Sequence, residues 1–240
     1  MNTSTQHLAD EAIYKSVDVL WATLNQATSH LGHGKTEIGF SRMMQVTEAL
    51  ALFLHFRSGA KDVVCTDEEE AQVVRFPAAP CAQEEDQNAL GGPGQVFPCP
   101  FIVSHLPRGD IGSLLSTLSA VAAYNMGVAC HRESIAYTDY SRRCQFQLRA
   151  KQLYMTAYDL LDRLSYISPD GSLIHVYMAL CTNLAEMELE NGDLDASRKW
   201  RVALTNTMAC VPDQKESPVF LHFHNTCVFY SFETRAAQAA

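Results

Sequence analysis

The chain has 240 residues and a mass of 26.6 kDa, which indicates one large domain or two small ones. Hydrophobic residues make up 47% and charged residues 19%, a composition too apolar for a wholly disordered chain. The formal net charge of −9 argues against general binding to nucleic acids or to anionic membranes, because polyanions repel such a surface.

The sequence also bears on the compartment. The first eleven residues contain no apolar core, and no apolar run approaches the ~18 residues that a membrane helix needs. Eight cysteines are widely spaced and form no CxxC pair, which favours reduced thiols. We therefore predict a cytoplasmic location, with the nucleus as the alternative, and no membrane partner.

Amphipathic periodicity predicts a helical hairpin over residues 7–56. Apolar residues recur at three- and four-residue steps from Ile13 to Leu31, and two glycines then interrupt the pattern. A second helix follows from about Phe40. The two helices form an antiparallel pair because their connection is short.

The composition changes between residues 57 and 100. Glycine and proline concentrate there, and acidic runs stand at 67–70 and 84–86. Such a stretch buries too little apolar surface to offset the entropy of ordering it, so we predict one long acidic, Gly/Pro-rich loop. Two pieces of it, 71–76 and 95–104, are candidates for extended structure, and prolines restrict the second to a sheet edge.

Helical patterns resume after the loop and continue towards the C-terminus. We predict helices near residues 112–133, 145–166, 171–191, 193–210 and 217–237. The last helix is rich in apolar and aromatic residues, and we interpret segment 217–240 as a helix that caps the end of the helical stack. These elements belong to a single domain over residues 1–240.

Two of the predicted hairpins share a spacing of small and aromatic residues. In each, an asparagine stands two positions before a small residue, and the second helix carries the pattern Ala-x3-aromatic-x2-Ala. The first set comprises Asn125, Gly127, Ala150, Tyr154 and Ala157. The second set comprises Asn183, Ala185, Ala196, Trp200 and Ala203. The small residues allow the helices to approach closely, and the aromatic ring fills the wider gap one turn on.

This pattern resembles the tetratricopeptide repeat (TPR), a helix–turn–helix unit of about 34 residues. The resemblance is clearest at 121–160 and 179–206, within a repeat region at 112–210, and a weaker third copy begins at Asn25. The layout is also similar to TPR-like proteins of diatoms. The resemblance implies an all-α array of antiparallel helical hairpins in a right-handed superhelix. The chain departs from the family by an insertion of about eleven residues around 132–147.

The same resemblance implies a peptide-binding groove. In the family, the residue at the position of Asn125 and Asn183 often faces a concave groove and bonds to a peptide main chain. An asparagine amide suits this role because it carries both a donor and an acceptor. The predicted groove wall consists of Tyr124, Asn125, Val128, His131, Ala179, Asn183 and Glu186. The alternative is that the two asparagines only pack helices together.

A basic patch stands out in this acidic chain. It consists of Arg132, Arg142, Arg143, Arg149 and Lys151. One interpretation is a solvated helix face. The other is a surface that holds the acidic residues 67–86, or an acidic partner in their place, through contacts that salt weakens.

The sequence contains no recognisable catalytic or cofactor motif. GxSxG, Walker and HExxH patterns are all missing. An enzyme with a dispersed site, such as Cys130, His131 and Glu133, is the remaining catalytic hypothesis, although adjacent helix residues point apart.

Two histidine clusters are candidates for metal sites. His30 with His33, and His224 with Cys227, each lack the three or four ligands that zinc requires. We therefore predict neither a metal nor another cofactor.

The leading functional hypothesis is a non-enzymatic protein–protein interaction module, a TPR-like adaptor or scaffold. Stacked helical hairpins form a concave surface that suits a peptide or a helix of a protein partner. A structural alternative is a subunit that docks on another chain, or on a second copy, through its apolar last helix. The candidate contacts for that alternative are Phe220, Phe223 and Phe229.

Overall fold

The computed structural model of the protein describes residues 3–33, 35–57, 72–75, 95–106, 111–164, 171, 173–211 and 217–239. This part of the chain forms α1 (Thr3–Gly32), α2 (Thr36–Arg57), β1 (Gln72–Arg75), β2 (Phe101–His105), α3 (Ile111–Ala136), α4 (Tyr140–Asp162), α5 (Leu173–Glu190), α6 (Leu194–Cys210) and α7 (Pro218–Ala239). The prediction of a mainly helical protein is confirmed. The acidic runs 67–70 and 84–86 lie outside the described residues.

The helices pack in chain order. Short connections join α1 to α2, α3 to α4 and α5 to α6, so each pair is antiparallel. Each pair also contacts the next, through α2 with α3, α4 with α5 and α6 with α7. In addition, α1 contacts α3, α3 contacts α5 and α5 contacts α7, so these four helices form a continuous inner row.

Helix α3 is the centre of the core. The expectation that no apolar run approaches the length of a membrane helix was wrong for α3, which is long and apolar enough by these two criteria, alone among the helices that the structure describes. However, 89% of its most apolar stretch is buried inside the protein. Small residues at Ser119, Ala120, Ala122 and Ala123 let other elements approach it closely. Its apolar character is therefore explained by contacts with α1, α2, α4, α5 and β2.

The segment 95–106 is the main departure from the predicted architecture. We predicted a long loop over 57–100 with 95–104 as a candidate for extended structure at a sheet edge, and the structure places this piece inside the core. Four of its residues are each no more than 6% exposed: Phe97, Cys99, Phe101 and Val103. The candidates for extended structure at 71–76 and 95–104 agree with β1 and β2, whereas composition gave no sign that the second piece is buried.

A two-stranded antiparallel sheet accompanies this segment. Strand β1 pairs with β2, with Val73 opposite Val103, and covers it only from residue 101 onwards. Before that point, Pro98 and Pro100 lack the N–H groups that a further strand would need.

The predicted insertion at 132–147 is not a separate loop. Helix α3 continues to Ala136 and α4 begins at Tyr140, so the additional residues lengthen the two helices. The N–H of Arg142 donates to the Asp139 side chain at 2.8 Å, which caps the start of α4. Since this cap fixes the helix start, only residues 137–139 connect the hairpin.

Helix α7 packs on the rest of the chain. Phe220 and Phe223 are 6% and 0% exposed, whereas Phe229 is 38% exposed. The Tyr230 hydroxyl donates to Glu186 Oε1 at 2.6 Å, which ties α7 to α5. Contrary to the docking hypothesis, Phe220 and Phe223 are not available to another chain, because this chain already buries them.

A glycine notch joins α3 to α4. Tyr154 is fully buried, and a Cβ atom at Gly127 would lie 2.5 Å from its ring. The second hairpin differs, because Trp200 is only half-buried and meets Tyr158 edge-on, with ring centroids 4.9 Å apart. The first hairpin therefore encloses its aromatic ring completely, and the second does not.

The notch predicts a stability effect. Gly127→Ala should lower the free energy of unfolding by about 1 to 3 kcal/mol, because the added methyl group overpacks the Tyr154 ring. Urea unfolding of wild type, Gly127→Ala, Tyr154→Leu and the double variant measures the effect. In the Tyr154→Leu background the alanine should be less destabilising, and an equal loss in both backgrounds would contradict the steric explanation.

Candidate functional site

Asparagines of the inner helices bind the main chain of the extended segment. In α5, Asn183 Oδ1 accepts from the N–H of Phe97 at 2.7 Å, and its Nδ2 donates to the Phe97 carbonyl at 3.2 Å. In α3, Asn125 does the same with Phe101, at 2.8 and 2.7 Å. Each side-chain amide thus pairs with both polar main-chain groups of one residue, as a neighbouring strand would.

Helix α1 provides the third site of this kind. Asn25 Oδ1 accepts from the N–H of Val103 at 3.0 Å, and Asn25 Nδ2 donates to the Val103 carbonyl at 2.6 Å. Trp21 Nε1 donates to the same carbonyl at 2.7 Å. The segment therefore runs from α5, past α3, to α1. We call Asn25, Asn125 and Asn183 the asparagine ladder.

Further donors reach the carbonyls between the ladder positions. The Tyr124 hydroxyl lies 3.3 Å from the Phe97 carbonyl and 3.2 Å from that of Cys99. Arg132 Nη2 donates to the Pro98 carbonyl at 2.8 Å. These contacts matter because a buried main-chain group without a partner is destabilising.

The side chains of the segment occupy aromatic surroundings. The Phe97 ring lies 5.1 Å from Phe223 and 5.2 Å from His222, measured between centroids, so α7 closes the site at this end. Phe101 lies 5.7 Å from Phe97 and 5.3 Å from Tyr124. Both rings fill positions that water does not reach.

Segment 95–106 of the same chain covers the groove wall that the sequence predicts. Six of the predicted wall residues are buried: Tyr124, Asn125, Val128, His131, Ala179 and Asn183. The seventh, Glu186, is half-buried and bonded to Tyr230. Asn125 and Asn183 do bind an extended main chain, but it belongs to their own protein, and the expectation of an open wall was wrong.

Sequence reasoning missed two residues of this site. Asn25 occupies the same position in the weaker third copy as its two counterparts, so the signal was present. That signal is weak because the second helix of that copy lacks the alanine and aromatic pattern. Trp21, one helical turn before Asn25, gave no sequence signal.

The predicted basic patch is not one free surface. Lys151 Nζ lies 2.7 Å from Glu188 Oε2, and Arg132 donates to the Pro98 carbonyl. The remaining three are exposed on α4: Arg142, Arg143 and Arg149. Contact with the acidic residues 67–86 stays a prediction, because those residues lie outside the described part of the chain.

Titratable groups near the site are shifted by burial. Burial raises the pKa of the Cys130 thiol to about 11 and lowers the pKa of His131. A reactive cysteine needs a lowered pKa, so the shift at Cys130 has the opposite direction from that required of a nucleophile. Burial also raises the pKa of Tyr124 well above its usual value, which keeps its hydroxyl a donor.

Metal-binding side chains do not gather in the part of the chain that the structure describes. There, no three His, Cys, Asp or Glu side chains are placed to hold a metal ion. This includes the candidates at His30 with His33 and at His224 with Cys227.

Comparison with known proteins gave no match: no family model, no curated protein and no solved structure is significantly similar to the chain. Function is therefore inferred from the geometry of the asparagine ladder.

Replacing a ladder asparagine should destabilise the protein. Asn125→Ala leaves the buried N–H and carbonyl of Phe101 without their partner, so we expect a loss of about 2 to 4 kcal/mol in the free energy of unfolding. The control is Asn206→Ala, an exposed asparagine on α6, which should change stability by less than about 0.5 kcal/mol. Urea unfolding measures both, and equal effects would contradict a special role of Asn125.

His131 should make stability depend on pH. Its pKa is lowered by burial, so the unfolded chain binds a proton at a higher pH than the folded chain does. The free energy of unfolding should therefore fall as the pH drops below about 6.5, and His131→Gln should reduce that slope. Urea titrations at several pH values test this, and an identical slope in the variant would refute it.

Proposed function

We propose that the chain is a non-enzymatic protein-interaction module built as a TPR-like array of helical hairpins. Three features support this assignment: hairpins that contact in chain order, an inner row of alternate helices, and a terminal helix that covers the last hairpin. Under this proposal the array follows the right-handed superhelix of the family that the sequence resembles.

The observation that carries the proposal is the asparagine ladder. Three successive inner helices each direct one amide at an extended main chain, and each amide engages one N–H and one carbonyl. Such contacts do not depend on the side chains of the bound segment. A row of them is therefore suited to hold an extended peptide, as modules that recognise peptides through their main chain do.

The chemistry around the ladder supports binding rather than catalysis. The donors at the site are amides, an indole, a phenol and a guanidinium that already engage carbonyl groups. The neighbouring thiol of Cys130 is held protonated by burial. The function we assign is that of an adaptor or scaffold whose inner surface receives an extended segment of a protein.

Binding in trans tests the proposal. We expect a fluorescent peptide of residues 95–106, with serine in place of Cys99, to bind the full-length Phe97→Ala variant. That substitution weakens the packing of the chain's own segment 95–106, which we call the resident segment, and leaves the ladder asparagines unchanged. Affinity should be at least about tenfold higher than for wild type, because the covalently attached segment competes at an effective concentration of order millimolar.

Two controls accompany this anisotropy measurement. Ile102→Ala changes a half-buried segment residue that lies between the ladder positions, and it should increase affinity far less than Phe97→Ala. Adding Asn125→Ala to Phe97→Ala should abolish binding, provided that circular dichroism shows the helices intact. If the peptide does not bind the folded Phe97→Ala variant, the proposed function is wrong.

A further inference from the structure

We propose that the groove selects extended peptides with two phenylalanines four residues apart and a β-branched residue two positions later, and that such a ligand binds by displacing the resident segment 95–106. This inference rests on the proposed function and assigns its ligand class. The resident segment is treated as the chain's own copy of that ligand.

The selectivity follows from which side chains the groove encloses. Phe97, Phe101 and Val103 are each at most 1% exposed, whereas Ile102 is half-buried and Ser104 is exposed. The enclosed side chains belong to the three residues whose main chains pair with the ladder. Pro100 is also buried, whereas Pro98 and Ile102 are half-buried. A competing peptide must therefore match the three ladder positions and fit the enclosed Pro100 position, and it can vary most at the positions of Pro98 and Ile102.

The central position accepts a small residue. Cys99 lies between the two phenylalanines and is 6% exposed. The Tyr124 hydroxyl bonds to its carbonyl at 3.2 Å, and the Tyr124 ring also lies against Phe101, so there is little room beside it. The ligand pattern is thus phenylalanine, any residue, a small residue, a residue of about the size of proline, phenylalanine, any residue and a β-branched residue.

The direction of the ligand is also set. The indole of Trp21 and the guanidinium of Arg132 can only donate hydrogen bonds, and each reaches a carbonyl of the segment. A chain in the reverse direction would exchange N–H and carbonyl positions and leave these donors without acceptors. The ligand therefore runs from α5 to α1.

The thiol of Cys99 can report the exchange of the resident segment for a ligand. Cys99 lies in the segment and is buried while the segment is in place, so a thiol reagent should reach it slowly. Displacement would expose it. Cys130 in α3 and Cys181 in α5 are fully buried in helices that stay folded during an exchange, and they report unfolding instead.

The experiment uses the wild-type, full-length chain. N-ethylmaleimide labelling at each cysteine is followed by mass spectrometry as the serine-containing 95–106 peptide is titrated. We expect the labelling rate of Cys99 to rise at least about tenfold at saturation, with no change at Cys130 or Cys181. A peptide with alanine at both phenylalanine positions, and one with the reversed sequence, should leave the Cys99 rate unchanged.

The outcomes separate this inference from the proposed function. If the peptide binds but Cys99 stays protected, or if the two control peptides are equally effective, the inference is overturned while main-chain binding stands. If the 95–106 peptide binds neither wild type nor the folded Phe97→Ala variant, the proposed function and this inference are both wrong. A rise confined to Cys99 and to the matching peptide supports both.

Discussion

The structure depends on how a buried extended segment obtains hydrogen-bond partners inside a helical protein. Helices bond their own main-chain groups internally and have none to spare for a strand. The asparagine ladder solves this problem, because a side-chain amide presents the same donor and acceptor as a peptide unit. Without Asn25, Asn125 and Asn183, the side chains of the segment would still suit the core. The main-chain groups of Phe97, Phe101 and Val103, however, would lose these hydrogen-bond partners.

The ladder also resolves the two alternatives that the sequence left open for Asn125 and Asn183. Both are buried, as helix-packing asparagines would be, and both bond to an extended main chain, as groove residues would. The interpretations are compatible because the groove is filled by its own chain. Asn125 and Asn183 are therefore core residues that also bind an extended main chain.

Local patterns were sufficient for the helices but not for the segment that they enclose. The three- and four-residue periodicity predicted the mainly helical class, including a helix at 193–210 that matches α6. The ladder contacts, in contrast, join residues separated by 24, 78 and 86 positions in the chain. No local pattern reports such pairs, so the sequence predicted 95–104 as a candidate for extended structure but not its burial against α1, α3 and α5.

Under the proposed function, partner selection would depend on the difference in binding free energy between a competitor and the resident segment, and not on the total for either. The ladder makes the same contacts with any extended main chain, so it stabilises the resident segment and a competitor equally and does not discriminate between them. What distinguishes them is the fit of the two phenylalanine positions and the advantage that covalent attachment gives to the resident segment. A foreign ligand must therefore fill the surroundings of Phe97 and Phe101 at least as well, since there the aromatic side chains of Phe223 and Tyr124 set the selection. Under the proposed function, the occupied groove would therefore admit only a ligand that fits these positions well or is present at high local concentration.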